Sequence, residues 1–151
     1  MGWVSRLRGS RRDDKELGDG VWRRAHDRFT RGLDRFHQVL EGIDDDDLYN
    51  ALVMIANHLA DLEPRVRAVC SGAHRQRPSS GTDIPGTHAD VHRALSKAAN
   101  DLAAAAQAAA MARLDGERWG YNSAGLENVA FRADLVVDGV RAAEETLSRL
   151  G

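Results

Sequence analysis

The sequence has little of the material that stabilises small disulfide-bonded domains. Its 151 residues include a single cysteine, Cys70, so no internal disulfide can form. Three prolines and 5% aromatic residues leave an aliphatic, alanine-rich core and favour helix. No apolar run reaches the roughly 18 residues of a membrane span. The net charge of −2 argues against a nucleic-acid partner.

Apolar residues recur at alternating steps of three and four, the spacing of one face of an α-helix. Alternation with a period of two, which marks half-buried strands, does not extend over a useful length. The sequence therefore predicts an all-α protein. The four predicted helices lie near 21–42, 45–71, 87–114 and 123–150.

The predicted helices have matched lengths and mostly short connections, which favours antiparallel neighbours. We predict a single four-helix bundle at 21–151, in up-down-up-down order, preceded by a short basic and amphipathic arm at 1–20. In that simple order helices 2 and 4 lie diagonally. The loop at 71–86 is long enough to cross over, so the order of the helices stays open. Pro64 falls within helix 2 and is expected to kink it.

The segment THADVH holds two histidines four residues apart, a spacing that metal ligands use. In an up-down bundle His26 would lie at the same end as His88 and His92, and the three could form an open metal site. Thr87 and Asp90 resemble a capping box, however, and the glutamate of the zinc-protease motif is missing. We expect a helix start that holds no metal or cofactor. A metal-dependent bundle enzyme with its site at this end is the alternative.

The first twelve residues contain four arginines and no acidic residue. Trp3, Val4 and Leu7 would share one face of a short helix, a composition typical of an interfacial anchor or a docking peptide. We expect residues 1–12 to contact a protein or a membrane surface. We expect a cytoplasmic protein, which would lie at the inner membrane surface if this segment anchors it there.

Two predicted helices carry apolar side chains off their buried seams. Exposed apolar patches of this kind mark sites for partners. Aromatic residues in the loop before helix 4 are a further candidate contact. With the arm, the predicted partner-binding residues are Trp3, Leu7, Val53, Met54, Trp119, Tyr121, Phe131 and Leu135.

No pattern in the sequence indicates catalysis. There is no phosphate-binding loop and no nucleophile elbow, and Cys70 has no evident activating partner. We therefore predict a non-catalytic interaction protein, an adaptor or a regulatory subunit. It would act through the outer faces of helices 2 and 4 and through the basic arm. Its partners would be another protein and a second copy of itself, as a dimer.

Overall fold

The computed structural model describes residues 11–151, and throughout this range the regular elements are helices, as predicted. Residues 11–17 are helical, and a short 3-10 turn, Gly86–His88, precedes one of the later helices. From residue 21 onward the helices are α1 (Val21–Glu41), α2 (Asp46–Ala60), α3 (Glu63–Gln76), α4 (Ala89–Trp119) and α5 (Ser123–Leu150). Predicted helices 3 and 4 correspond to α4 and α5.

Predicted helix 2 is divided into α2 and α3, so the described chain has five α-helices from residue 21 onward, and the four-helix prediction does not hold as stated. Pro64 explains the division. Proline has no N–H to donate to the carbonyl of Ala60, and its ring clashes with that carbonyl. The Leu62 N–H instead bonds to the Leu59 carbonyl, three residues back, at 3.1 Å. Pro64 then lies in the first turn of α3, where a missing N–H costs nothing.

Side chains cap two of the helices. The Asp45 carboxylate accepts a hydrogen bond from the Leu48 N–H at 2.8 Å and begins α2. Asn122 caps α5 in the same way. The predicted Thr87–Asp90 capping box is not formed. The chain enters α4 through the 3-10 turn, and the Thr87 hydroxyl lies 3.0 Å from Nδ1 of His88 instead.

Close contacts define the directions of the helices. Gly139 of α5 lies against Ala98 of α4, and Gly125 lies against Ala112, so the two helices are antiparallel. A Cβ added at Gly139 would lie 3.0 Å from the Ala98 Cβ, and the absence of one allows this close approach. Gly32 of α1 contacts Leu102 of α4, and α1 runs parallel to α4.

The connection between α3 and α4 crosses the structure diagonally. α1 packs against α4 on one side and against α2 and α3 on the other, and α5 likewise packs against α4, α2 and α3. α1 and α5 therefore occupy opposite corners. Predicted helices 2 and 4 are therefore not diagonal, as the simple up-down order would place them, because α2 and α3 are neighbours of α5.

The segment before α1 belongs to the packed structure. Leu17 is 0% exposed and joins the core, and the Glu16 carboxylate accepts a bond from Arg67 Nε of α3 at 2.8 Å. The Asp14 carboxylate pairs with Arg23 at 2.6 Å. Residues 11–20 thus pack on the helices, whereas the predicted contact residues Trp3 and Leu7 lie outside the described residues.

Candidate functional site

The predicted histidine end of the protein is organised around Trp22. This indole is fully buried, and its edge faces the rings of His88 and His92 at centroid distances of 6.4 and 6.1 Å. Its Nε1–H donates to the Arg77 carbonyl at 2.9 Å. Because the backbone of residue 77 follows α3 directly, this bond joins the start of α1 to the end of α3. The indole thus packs against both histidines.

Each buried histidine is bonded to other protein groups. Nε2 of His26 lies 2.8 Å from Glu63 Oε1, and Nε2 of His88 lies 2.8 Å from Gln76 Oε1. Nowhere in residues 11–151 do three or more His, Cys, Asp or Glu side chains gather in a group that could hold a metal ion. The structure therefore does not bring His26, His88 and His92 together as a set of ligands.

The surroundings of His88 make folding stability depend on pH. Burial, with a smaller contribution from the Arg77 charge, lowers the pKa of His88 below its usual 6.5. As the pH falls below about 6.5, this side chain binds a proton in the unfolded chain before it does so in the folded chain. The free energy of unfolding therefore decreases. Burial lowers the pKa of His92 in the same direction, assisted by the charges of Arg24 and Arg28.

We expect His88→Gln to reduce the loss of Tm between about pH 7.5 and about pH 5.5, because glutamine stays neutral throughout that range. Calorimetry at both pH values gives the difference in Tm for each variant. A loss of stability that is the same at both pH values does not change this difference. His58→Gln, which removes an exposed histidine of α2, is the matched control. An unchanged difference in the His88 variant would show that this side chain is not the titrating group.

Cys70 has no reactive character in this fold. Its side chain is fully buried, and burial raises the pKa of the thiol to about 12. A thiol with that pKa stays protonated at neutral pH and is a poor nucleophile.

An apolar groove runs between α2 and α5 and has a volume of about 260 Å³. Met54 lies on its rim with 74% of its surface exposed. Phe131 follows the groove residue Ala130 on α5 and is 59% exposed. The groove is lined by Met54, Ile55, His58, Leu59, Ala130, Ala133, Asp134 and Val137. Of the predicted contact residues, Met54 thus lies at the groove, whereas Phe131 is exposed on the adjoining helix and does not line it.

The other predicted contact residues are placed differently. Val53 is half-buried against the core and does not line the groove, and Leu135 is half-buried on α5. Trp119, at the end of α4, is 80% exposed, and Tyr121 is exposed in the loop that follows. The two aromatic residues therefore form a separate exposed feature at the end of the protein where α5 begins.

A row of charged side chains on α1 was not predicted from the sequence. Arg24, Arg28, Arg31 and Arg35 are all exposed and follow the spacing i, i+4, i+7, i+11, which places them on one face of the helix. Arg31 and Arg35 line a second groove, between α1 and α4, whose floor includes Ala103, Ala106 and Ala110. The spacing of these arginines is visible in the sequence. The apolar residues that recur in steps of three and four on the same helix predicted only its buried face.

Comparisons of the chain with protein-family models, curated proteins and solved structures found no match. Among the helices of residues 11–151, none combines the length and the apolar character that crossing a membrane requires. The functional interpretation therefore depends on the geometry of the described surface.

Proposed function

We propose that this chain is a non-catalytic interaction protein, an adaptor or a regulatory subunit, which binds a helix of another protein in the α2–α5 groove. One observation carries the proposal. Met54, an unbranched apolar side chain, is 74% exposed on the rim of an apolar groove, with Phe131 exposed on the adjoining helix. Apolar residues concentrated in this way on two neighbouring helices are typical of protein contacts.

The dimensions and lining of the groove favour a side chain of a partner helix. A volume of about 260 Å³ is below the usual range of pockets for small-molecule ligands, roughly 300–1,000 Å³. Ile55, Leu59 and Val137 provide apolar walls, whereas His58 and Asp134 add polar groups. An amphipathic helix could place an apolar anchor between the walls and polar residues beside His58 and Asp134.

The non-catalytic part of the proposal is supported by the state of the reactive side chains. The Cys70 thiol is held protonated by burial. The ring nitrogens of His26 and His88 are engaged by protein groups that hold them in structural roles. We propose in addition that residues 1–12 form a second contact, with a protein or a membrane surface, in a cytoplasmic protein.

We expect Met54→Asp and Phe131→Asp to weaken partner binding about tenfold or more, because burying such a side chain contributes roughly 1.5–3 kcal/mol. Met111→Asp is the matched control, since Met111 is 52% exposed on α4, a helix that contributes no residue to the groove. Quantitative affinity capture from native cells, followed by titration of the captured protein, measures the loss. Thermal melts should show that all three variants keep their fold.

A partner that binds the Met54 and Met111 variants equally would contradict a role for the groove. So would the failure of any protein to be captured in a Met54-dependent manner.

A further inference from the structure

The arginine row of α1 has no carboxylate partners of its own. Across residues 11–151 none of Arg24, Arg28, Arg31 and Arg35 forms an ion pair. Arg24 donates to a backbone carbonyl and Arg28 to the side-chain amide oxygen of Asn100. The row spans eleven residues, about 16 Å along the helix. A row of exposed cations this long is complementary to an acidic surface of matching spacing.

The outer face of α5 carries a row of the opposite charge. Glu127, Asp134, Asp138 and Glu145 are exposed and lie at i, i+7, i+11 and i+18, which places them on one face of the helix. None of these four carboxylates forms an ion pair in the described part of the chain. The two rows cannot meet within one copy, because α1 and α5 occupy opposite corners.

We propose that α5 of one copy docks against α1 of a second copy, so that the acidic row pairs with the arginine row. This inference deepens the proposed function, on which it rests, by naming a second copy as the partner of the outer face of α5.

The spacing of the two rows sets the register. With the helices parallel, positions 24, 31 and 35 face 127, 134 and 138, and all three pairs are oppositely charged. Arg28 then faces Phe131, and its guanidinium can lie over the ring in a cation–π contact. Two antiparallel alignments also pair three charges. One of them sets Arg28 against Arg141, and like charges opposite each other are unfavourable. The other pairs positions 24, 28 and 35 with 138, 134 and 127 and sets Arg31 against Phe131. In both favourable alignments, residues 127–138 of α5 lie opposite residues 24–35 of α1, and this is the register we infer.

The second groove adds a place for the apolar side chains of α5. Arg31 and Arg35 line the α1–α4 groove together with Asp34, Arg113 and alanines of α4. The favourable antiparallel alignment sets Phe131 opposite Arg31, at this groove, whereas the parallel alignment sets it against Arg28, which does not line the groove. The surface thus combines charge complementarity with apolar contact.

The contact is heterologous, because the α5 face of one copy binds the α1 face of the next copy. Such contacts form rings or open chains and do not stop at a symmetric dimer. Exposed ion pairs are individually weak and screened by salt. We therefore expect weak self-association, beyond the dimer, with an association constant that falls about tenfold between about 50 mM and about 500 mM salt.

Charge reversal tests the proposal by sedimentation equilibrium at several hundred micromolar protein. Arg31→Glu with Arg35→Glu should abolish association, and so should Asp134→Arg with Asp138→Arg. An equimolar mixture of the two double variants should associate again, because each supplies the face that the other lacks. The same charge change in Arg93→Glu with Lys97→Glu, elsewhere on α4, is the control and should leave association intact. Circular dichroism checks that every variant is folded.

A single substitution tests the register. Glu127→Arg should weaken association more than Glu145→Arg, since position 145 lies beyond the paired row in both favourable alignments. The opposite order would overturn the register.

A wild-type chain that stays monomeric at every salt and protein concentration would overturn the whole proposal, as would a mixture of the double variants that fails to associate. The groove proposal is judged separately by the Met54→Asp variant, because Met54 belongs to neither charged row, whereas Asp134 and Phe131 serve both proposals.

Discussion

Trp22→Ala should lower the free energy of unfolding by about 3–5 kcal/mol, the usual cost of truncating a buried large aromatic side chain. The indole is fully buried among α1, α3 and α4, so its removal leaves a cavity that three helices would have to close. The Arg77 carbonyl would also lose the hydrogen bond that it accepts at 2.9 Å. At this chain length the loss corresponds to a fall in Tm of about 10 °C.

Two variants separate the contributions of packing and hydrogen bonding at Trp22. Trp22→Phe keeps much of the ring and removes the donor, and it should cost less than Trp22→Ala. Trp119→Ala is the matched control, since the Trp119 side chain is 80% exposed and its truncation should leave Tm nearly unchanged. Calorimetry or urea titration measures all three. Equal effects at positions 22 and 119 would contradict the placement of Trp22 at the centre of this end.

The helices were predictable because their apolar spacing is regular over long stretches. α1 and α5 begin and end within a residue of their predicted limits, and α4 runs five residues past its predicted end at 114. The division at Pro64 was not predictable from spacing alone, because the apolar residues continue in phase on both sides of it. Only the backbone shows that the helix ends at Ala60 and begins again at Glu63.

The candidate surface was predictable residue by residue but not as an arrangement. Met54 and Phe131 are exposed as their positions off the buried seam indicated. That they lie on adjoining helices depends on the diagonal crossing of the loop after α3, which helix lengths do not determine. The partners of His26 and His88 escaped prediction for a similar reason, since Glu63 and Gln76 mark the two ends of α3.

The sequence around Leu17 did not predict that this residue belongs to the core. Arginines before it and glycines after it suggested a separable arm, and one apolar residue in a charged segment gives no periodicity. In the structure the helical turn at 11–17 positions Leu17 at 0% exposure in the core. Gly18 then reverses the chain with φ +71°, a conformation that favours glycine, and lies directly against the ring of His74. The segment therefore covers the junction between α1 and α3.

We accordingly expect Leu17→Ala to lower the free energy of unfolding by about 2–5 kcal/mol, the cost of truncating a buried leucine. Deleting residues 1–18 should cost at least as much, because it also removes the Glu16 and Asp14 partners of Arg67 and Arg23. Lys15→Ala, an exposed position in the same turn, is the control and should change Tm little. Thermal melts measure the stability of the three variants, and a deletion variant as stable as the full chain would contradict the packing role of residues 11–18.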